Sequence, residues 1–172
     1  VIFACFTHDP AEQLAAALME QLPNNLKHVF FSDNGSTSVE VALKMAFQYW
    51  QNCGEKRNRF IAFEGGYHGD TVGAMSIGGG SLFWEKFAPL MFAIDLVPFP
   101  STWDGDPDIE RKESESLAAI EKLLDCELAS PAAICIEPLV QGAAGMRMCR
   151  PEFLLQLRKL SSARNVLLIF DE

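Results

Sequence analysis

The sequence predicts an α/β fold built on a mostly parallel sheet with helices on both faces. Three observations carry that expectation. Short apolar runs near residues 59–63, 132–137 and 166–170 read as strands, with amphipathic stretches between them. The last third runs strand, helix, strand with unbroken apolar strands, the pattern of a βαβ unit whose sheet is covered on both sides. Glu137 and Asp171 close the last two strands, at the carboxyl ends where ligands bind in such sheets.

The elements follow in order. Asp9-Pro10-Ala11-Glu12 opens a helix, with Asp9 as cap, Pro10 in the first turn and Glu12 at the capping-box position. Leu14, Leu18 and Leu22 line one face, and Pro23-Asn24-Asn25 ends it. Val29-Phe30-Phe31 reads as a short strand. Val39 to Gln51 reads as a mostly buried helix whose polar stripe is Glu40, Lys44, Gln48 and Gln51. Arg59 to Phe63 is a strand. Residues 78–116, with three consecutive glycines, Pro98, Pro100, Pro107 and many charges, read as irregular surface. A helix is predicted over Ser116–Ala129, with Leu117, Ile120, Leu123, Leu124 and Leu128 inward. Ala132–Glu137 and Val166–Phe170 are buried strands. Between them, Pro151–Ser162 is a helix with Phe153, Leu154, Leu157 and Leu160 on its apolar side.

Composition narrows the function. At 172 residues one domain is expected, and 49% apolar against 22% charged residues is a globular balance. The net charge of −9 argues against a nucleic-acid partner, which requires a basic face. No apolar run approaches the roughly 18–20 residues of a membrane span, so no membrane partner is expected. Cys5, Cys53, Cys126, Cys135 and Cys149 lack paired spacing and read as buried thiols in a reducing compartment, so a cytoplasmic location is expected. His8, His28 and His68 are remote from second ligands in sequence, so no metal is expected. Val1 opens inside an apolar stretch and Glu172 follows directly on a strand, so a piece of a longer protein is expected.

Three stretches carry chemistry. Asp33-Asn34-Gly35-Ser36-Thr37-Ser38 lies between an apolar run and a helix. A helix start offers unpaired N–H groups and partial positive charge, so Gly35 and the hydroxyls suit a phosphate; taken alone, the stretch favours plain N-capping. The spacing matches neither a P-loop nor a dinucleotide turn. Gly65-Gly66-Tyr67-His68-Gly69 follows a strand and frames two aromatic rings with glycines, either against a flat ligand or as a simple turn. Asp171, buried at a strand end, needs a cation: a protonated ring nitrogen or a basic side chain. Glu137 has the same two readings, with an indirect role favoured. Taken together, a phosphate cradle, a stacking aromatic and an acid for a ring nitrogen are three handles of pyridoxal 5′-phosphate.

Ser32-Asp33-Asn34-Gly35-Ser36 leading into Val39–Lys44, then Gly66–Thr71, Ile136-Glu137-Pro138 and Leu168–Glu172, resembles in order the class III PLP-dependent aminotransferases. The resemblance implies the large domain of the fold-type-I transferases, here incomplete. Gly35 and Ser36 would hold the cofactor phosphate, Tyr67 would lie beside the ring and shape the substrate pocket, and His68 would sit next to it. Asp171 would pair with the pyridine nitrogen and Glu137 would support that acid network. Phe6–Ala11, Lys44–Trp50 and Val140–Met148 fit the biotin-pathway branch of the class. So does Ala143 after Gln141-Gly142, where many ω-amino-acid members carry an acid. That branch implies amino transfer from S-adenosylmethionine to 8-amino-7-oxononanoate. An ω-amino-acid or polyamine aminotransferase is the alternative, and a non-catalytic relative that binds PLP or dimerises is another.

The class also needs a lysine that binds the cofactor covalently, beyond the strand ending in Asp171. Lys27, Lys44, Lys56, Lys86, Lys112, Lys122 and Lys159 do not occupy that place. Residues 1–172 are therefore expected to be the N-terminal part of the large domain, inactive alone, without the lysine segment or the small C-terminal domain. Homodimers with active sites at the interface are implied as well.

Overall fold

The structure is a computed structural model and describes residues 6–79, 84–125 and 130–172. The chain divides into two compact units, residues 1–32 and 33–172. The first contains one helix, α1 (Asp9–Gln21), which buries none of its residues. Its cap is His8 rather than Asp9, because His8 Nδ1 accepts the N–H of Ala11 at 3.3 Å. That moves Glu12 one position past the capping-box site. Residues 29–31 form no strand, since no described strand pairs with them.

The second unit runs α2 (Gly35–Asn52), β1 (Arg59–Phe63), α3 (Val72–Ile77), a 3₁₀ turn over Glu85–Leu90 and β2 (Asp95–Val97). It continues α4 (Ile109–Leu124), β3 (Pro131–Ile136), β4 (Val140–Gln141), β5 (Arg147–Met148), α5 (Pro151–Ala163) and β6 (Leu167–Phe170). Four strands form one parallel sheet in the order β2-β1-β3-β6, and β4 and β5 form a separate antiparallel hairpin.

Period-two alternation along these strands divides the core in two. Phe60, Ala62, Ala133 and Cys135 face α2 and α3, where Val39, Leu43, Ala46, Trp50, Ala74 and Ile77 meet them. Ile61, Phe63, Ile134 and Ile136 face the other way, onto Ile120 of α4 and Phe153 and Leu157 of α5. Helices therefore cover both faces, as the sequence predicts. Trp50 is 1% exposed and donates its indole N–H to the Ala132 carbonyl at 2.8 Å, tying α2 to β3.

Several expectations need correction. α2 starts at Gly35, four residues earlier than the sequence reading. Asn34 Oδ1 accepts the Thr37 N–H while Thr37 Oγ1 accepts the Asn34 N–H, a reciprocal cap that makes residues 35–38 helical. The helix buries one face only; Met45, Phe47 and Tyr49 are exposed. Residues 78–116 hold β2 and the first half of α4, so they are not simply irregular. α4 begins seven residues before Ser116, at Ile109, and its predicted end at 126–129 lies outside the described residues. β6, at one edge of the described sheet, is half-buried rather than buried. Of the cysteines described, Cys135 and Cys149 are buried but Cys53 is exposed. Burial pushes the Cys149 thiol up to about 11. No helix among the described residues is long and apolar enough to cross a membrane.

Candidate active site

Parallel pairing brings the carboxyl ends of β1, β3 and β6 side by side, and the chain leaves each of them into the same region. β1 runs into Glu64-Gly65-Gly66-Tyr67-His68, β3 into Glu137 and β6 into Asp171. An open cleft of about 510 Å³ lies there, lined by Asn34, Gly35, Ser36, Tyr67, His68, Gly69, Asp70, Thr71 and Asp171. Residues 136 positions apart in sequence thus share one wall system.

One end of the cleft is the start of α2. Asn34 takes up the Thr37 N–H, and its carbonyl accepts the Ser38 N–H. The N–H groups of Gly35 and Ser36 have no acceptor among the described residues. A Cβ added at Gly35 would meet nothing within 4 Å, so the space before the helix start is open. Free N–H donors, the positive end of an 18-residue helix and open volume suit an anionic group.

The same cleft is lined by a carboxylate, Asp171. Asp171 Oδ2 accepts the Nδ1–H of His68 at 2.7 Å. The His68 ring is buried, whereas the Asp171 side chain retains 21% exposure and lines the cleft. Asp171 therefore has one oxygen fixed from behind and can present the other to a cationic ligand atom. Its backbone is held as well, by donation of its N–H to the Ile136 carbonyl.

Tyr67 borders the cleft with its ring half-exposed, and its hydroxyl donates to Asp70 Oδ2 at 3.0 Å. That bond raises the phenol above its ordinary pKa, because the proton sits on a carboxylate acceptor. Glu137 is placed differently from expectation. Its Oε2 accepts the Tyr67 N–H and its Oε1 the Gly142 N–H, each at 3.0 Å. Its contacts are thus to two loops, not to Asp171. It holds the backbone of Tyr67 and the tip of the β4–β5 hairpin together. Beside it, a second cleft of about 890 Å³ includes Glu137, Leu139, Leu154, Phe170 and Asp171.

Sequence reasoning missed the supports. Gln141 Nε2 and Arg147 Nη1 both donate to the Glu64 carbonyl, at 3.2 and 3.1 Å, and pin the hairpin under the Gly65 turn. Gly65 has φ +82°, and a Cβ there would fall 2.5 Å from Arg147 Nη1. Thr71 and Glu40 also belong to the site's frame. The positive φ of Gly65 and Gly69 is the physical reason for glycine at those places, but sequence alone does not say which residues crowd them.

The whole chain, residues 1–172, matches the family described as Aminotransferase class-III. The chain belongs to that family. A curated relative from Synechococcus elongatus, named adenosylmethionine-8-amino-7-oxononanoate aminotransferase, is 56% identical over all of this chain and 40% of its own length. One of the same name from Anoxybacillus flavithermus is 42% identical, over 95% of this chain and 36% of that protein. Among solved structures, the Methanocaldococcus jannaschii protein of that name superposes with TM-score 0.87 at 33% identity, covering 100% of this chain and 37% of that one. A PLP-bound amine transaminase from an uncultivated Pseudomonas species gives TM-score 0.88 at 30% identity, over 99% and 40%. The chain thus spans about 40% of the length of these class-III aminotransferases. The parallel sheet with helices on both faces is their fold.

Proposed function

We propose that the protein carrying this chain is a PLP-dependent aminotransferase that moves an amino group from S-adenosylmethionine to 8-amino-7-oxononanoate, giving 7,8-diaminononanoate for biotin synthesis. The observation that carries the reading is the presence, in one cleft, of an open helix start at Gly35 and Ser36 and a carboxylate at Asp171 held by His68. These are a phosphate site and a partner for a protonated ring nitrogen. Membership of the class-III family, and relatives bearing that enzyme name, support the specific reaction.

In this reading Gly35 and Ser36 bind the phosphate of PLP and Asp171 holds a proton on the pyridine nitrogen. His68 orients Asp171. Tyr67, fixed by Asp70 and by Glu137, sits beside the ring and borders the substrate space. When bound, PLP supplies an electron sink that acidifies the carbon bearing the amino group. The chain's own contribution is to place the ring and keep its nitrogen charged.

The lysine that binds PLP covalently and the small domain are assigned to sequence outside these 172 residues, a reading supported by the 36–40% share of the relatives' length that is matched. Residues 1–172 are then the N-terminal part of the large domain, inactive alone. A homodimer with shared sites, in the cytoplasm, completes the proposal.

The test is incubation of the intact protein with PLP, S-adenosylmethionine and 8-amino-7-oxononanoate, with detection of 7,8-diaminononanoate. Formation of that product with S-adenosylmethionine as donor supports the reading. Turnover only with an ω-amino acid or polyamine donor assigns the protein to another branch. Binding of PLP without turnover of any donor assigns it a non-catalytic role.

A further inference from the structure

α3 is only six residues long and its cap residue, Thr71, makes no capping bond with its own side chain. A short helix in that state has several N–H groups to satisfy. Two side chains of α2 do so. Ser36 Oγ accepts the Thr71 N–H at 3.0 Å, and Glu40 Oε1 accepts the N–H groups of Gly73 and Ala74, at 2.5 and 3.2 Å. Ser36 and Glu40 are four residues apart and lie on the same face of α2. The start of α3 thus hangs on the start of α2 at two points.

Ser36 is also the residue whose hydroxyl borders the anion end of the cleft. It has one proton and two acceptor sites. One acceptor site is taken by the Thr71 N–H, and Thr71 Oγ1 lies 2.8 Å from Ser36 Oγ. If the Ser36 proton turns to an anion, the Thr71 hydroxyl can donate its own proton to Ser36 Oγ. That oxygen then accepts two bonds and donates one, which fills its capacity and strengthens the outgoing bond.

We infer that Thr71 and Glu40 are positioning residues for the phosphate end of the cleft. Thr71 sets the direction and strength of the Ser36 hydroxyl, and Glu40 holds Thr71 in place by capping α3. Both act through Ser36. The inference rests on the assignment of Gly35 and Ser36 as the phosphate site.

The experiment compares binding of PLP and of pyridoxal, which lacks the phosphate, in the intact protein. Wild type is set against Ser36→Ala, Thr71→Val, Thr71→Ser, Glu40→Ala and Glu40→Gln. The ³¹P resonance of bound PLP is recorded in each. Thr71→Val keeps the backbone N–H and removes only the hydroxyl. It should weaken PLP binding roughly five- to tenfold, leave pyridoxal binding unchanged and move the ³¹P resonance. Thr71→Ser should restore binding to within about twofold of wild type. Glu40→Ala should act in the same direction as Thr71→Val. Glu40→Gln, whose amide oxygen still accepts, should recover most of the loss.

Equal weakening of PLP and pyridoxal would mean a general structural role and overturn the inference. So would an unchanged ratio in the Thr71 and Glu40 variants while Ser36→Ala lowers it, although the phosphate assignment would then stand. An unchanged ratio in Ser36→Ala would mean that the Ser36 hydroxyl takes no part in holding the phosphate, which overturns the inference while leaving the backbone N–H groups of Gly35 and Ser36 as the phosphate site. Should Glu40→Ala fail to fold, Glu40→Gln and the two Thr71 variants decide the matter.

Discussion

The buried imidazole of His68 lies 2.7 Å from Asp171, although 103 residues separate the two in sequence. Each makes the other tolerable. A carboxylate leaving a half-buried strand would lose solvation, and the Nδ1–H replaces part of it. In return the carboxylate fixes the ring orientation and the donor nitrogen. Tyr67 and His68, adjacent in sequence, both line the cleft, Tyr67 half-exposed and His68 buried. On the proposed reading, Asp171→Asn should lower kcat of the intact protein by about a hundredfold or more, through loss of the charge that would hold a ring proton. His68→Ala should cost less, about tenfold, since the charge remains but is no longer oriented. His68→Asn can place an amide donor near the position of Nδ1 and should recover part of the loss. Steady-state kinetics of the three variants check the order; His68→Ala equal to wild type would remove the orienting role.

Trp50 is a stability prediction independent of any ligand. Its indole fills the space between α2 and β3, donates to Ala132, and carries the Arg57 guanidinium 3.5 Å from its ring centroid. Arg57 in turn reaches the carbonyls of Pro131 and Asn165. Trp50→Ala should destabilise the fold by about 3–5 kcal/mol, from the lost contacts and the cavity left behind. Trp50→Phe keeps most of the packing but loses the bond to the Ala132 carbonyl, and should cost about 1–3 kcal/mol. Urea unfolding measures both, and a loss below 1 kcal/mol for the alanine variant would contradict the placement of this ring.

A pH effect follows from Asp106. Its Oδ2 accepts from Lys112 Nζ at 2.7 Å and its Oδ1 from the Asp108 N–H at 3.0 Å. The lysine bond, ahead of the smaller contributions, holds the carboxyl below its ordinary pKa even though partial burial acts the other way. A depressed folded-state pKa means that the unfolded chain takes up the proton first as pH falls. The stabilisation is therefore complete above the ordinary carboxylate range and is lost as pH drops through the lower folded value. Asp106→Asn should be less stable than wild type near neutrality, and the gap should close toward strongly acid pH. Unfolding curves across that range test the sign, and a gap that widens in acid would reverse it.

How much was legible in the sequence depends on whether a residue's role follows from local pattern. β1, β3, α5 and the βαβ unit announce themselves through unbroken apolar runs and 3.6-residue spacing. The first half of α4 does not, because two of its buried positions are polar. Glu113 is 3% exposed and pairs through both oxygens with Arg150, while Ser116 donates to the Pro98 carbonyl. Read as surface residues, they hide the helix period. β2 is only three residues long and gains its place from pairing with β1. In the site, Gly35, Ser36, Tyr67, His68 and Asp171 line one cleft and had each been singled out in the sequence. Glu137 was singled out too, but its partners are backbone N–H groups, which no side-chain pattern reveals. Glu40 looked like part of a wet stripe, and only the position of α3 turns it inward.

Gly69 offers the sharpest test of that arrangement. Its φ of +121° lies where a side chain is strained, and a Cβ there would fall 2.5 Å from Ser36 Cβ and 2.8 Å from Ser36 Cα. Both neighbouring atoms belong to the first turn of α2, so neither can swing away like the end of a long side chain. Gly69→Ala must therefore push Ser36 and Thr71 apart or unwind the turn that joins them. The expected cost is about 2–4 kcal/mol in stability, summing backbone strain and steric displacement. Part of the damage should appear specifically at the anion end of the cleft, since Ser36 is the atom group displaced. PLP binding by Gly69→Ala should weaken more than pyridoxal binding, whereas Gly105→Ala, also at positive φ but with nothing within 4 Å of the added carbon, should leave both unchanged. Unfolding curves and the two binding titrations, run side by side on both variants, separate the strain of a left-handed backbone from the collision with Ser36. Equal behaviour of the two variants would mean that the close approach of Gly69 to Ser36 carries no energetic weight.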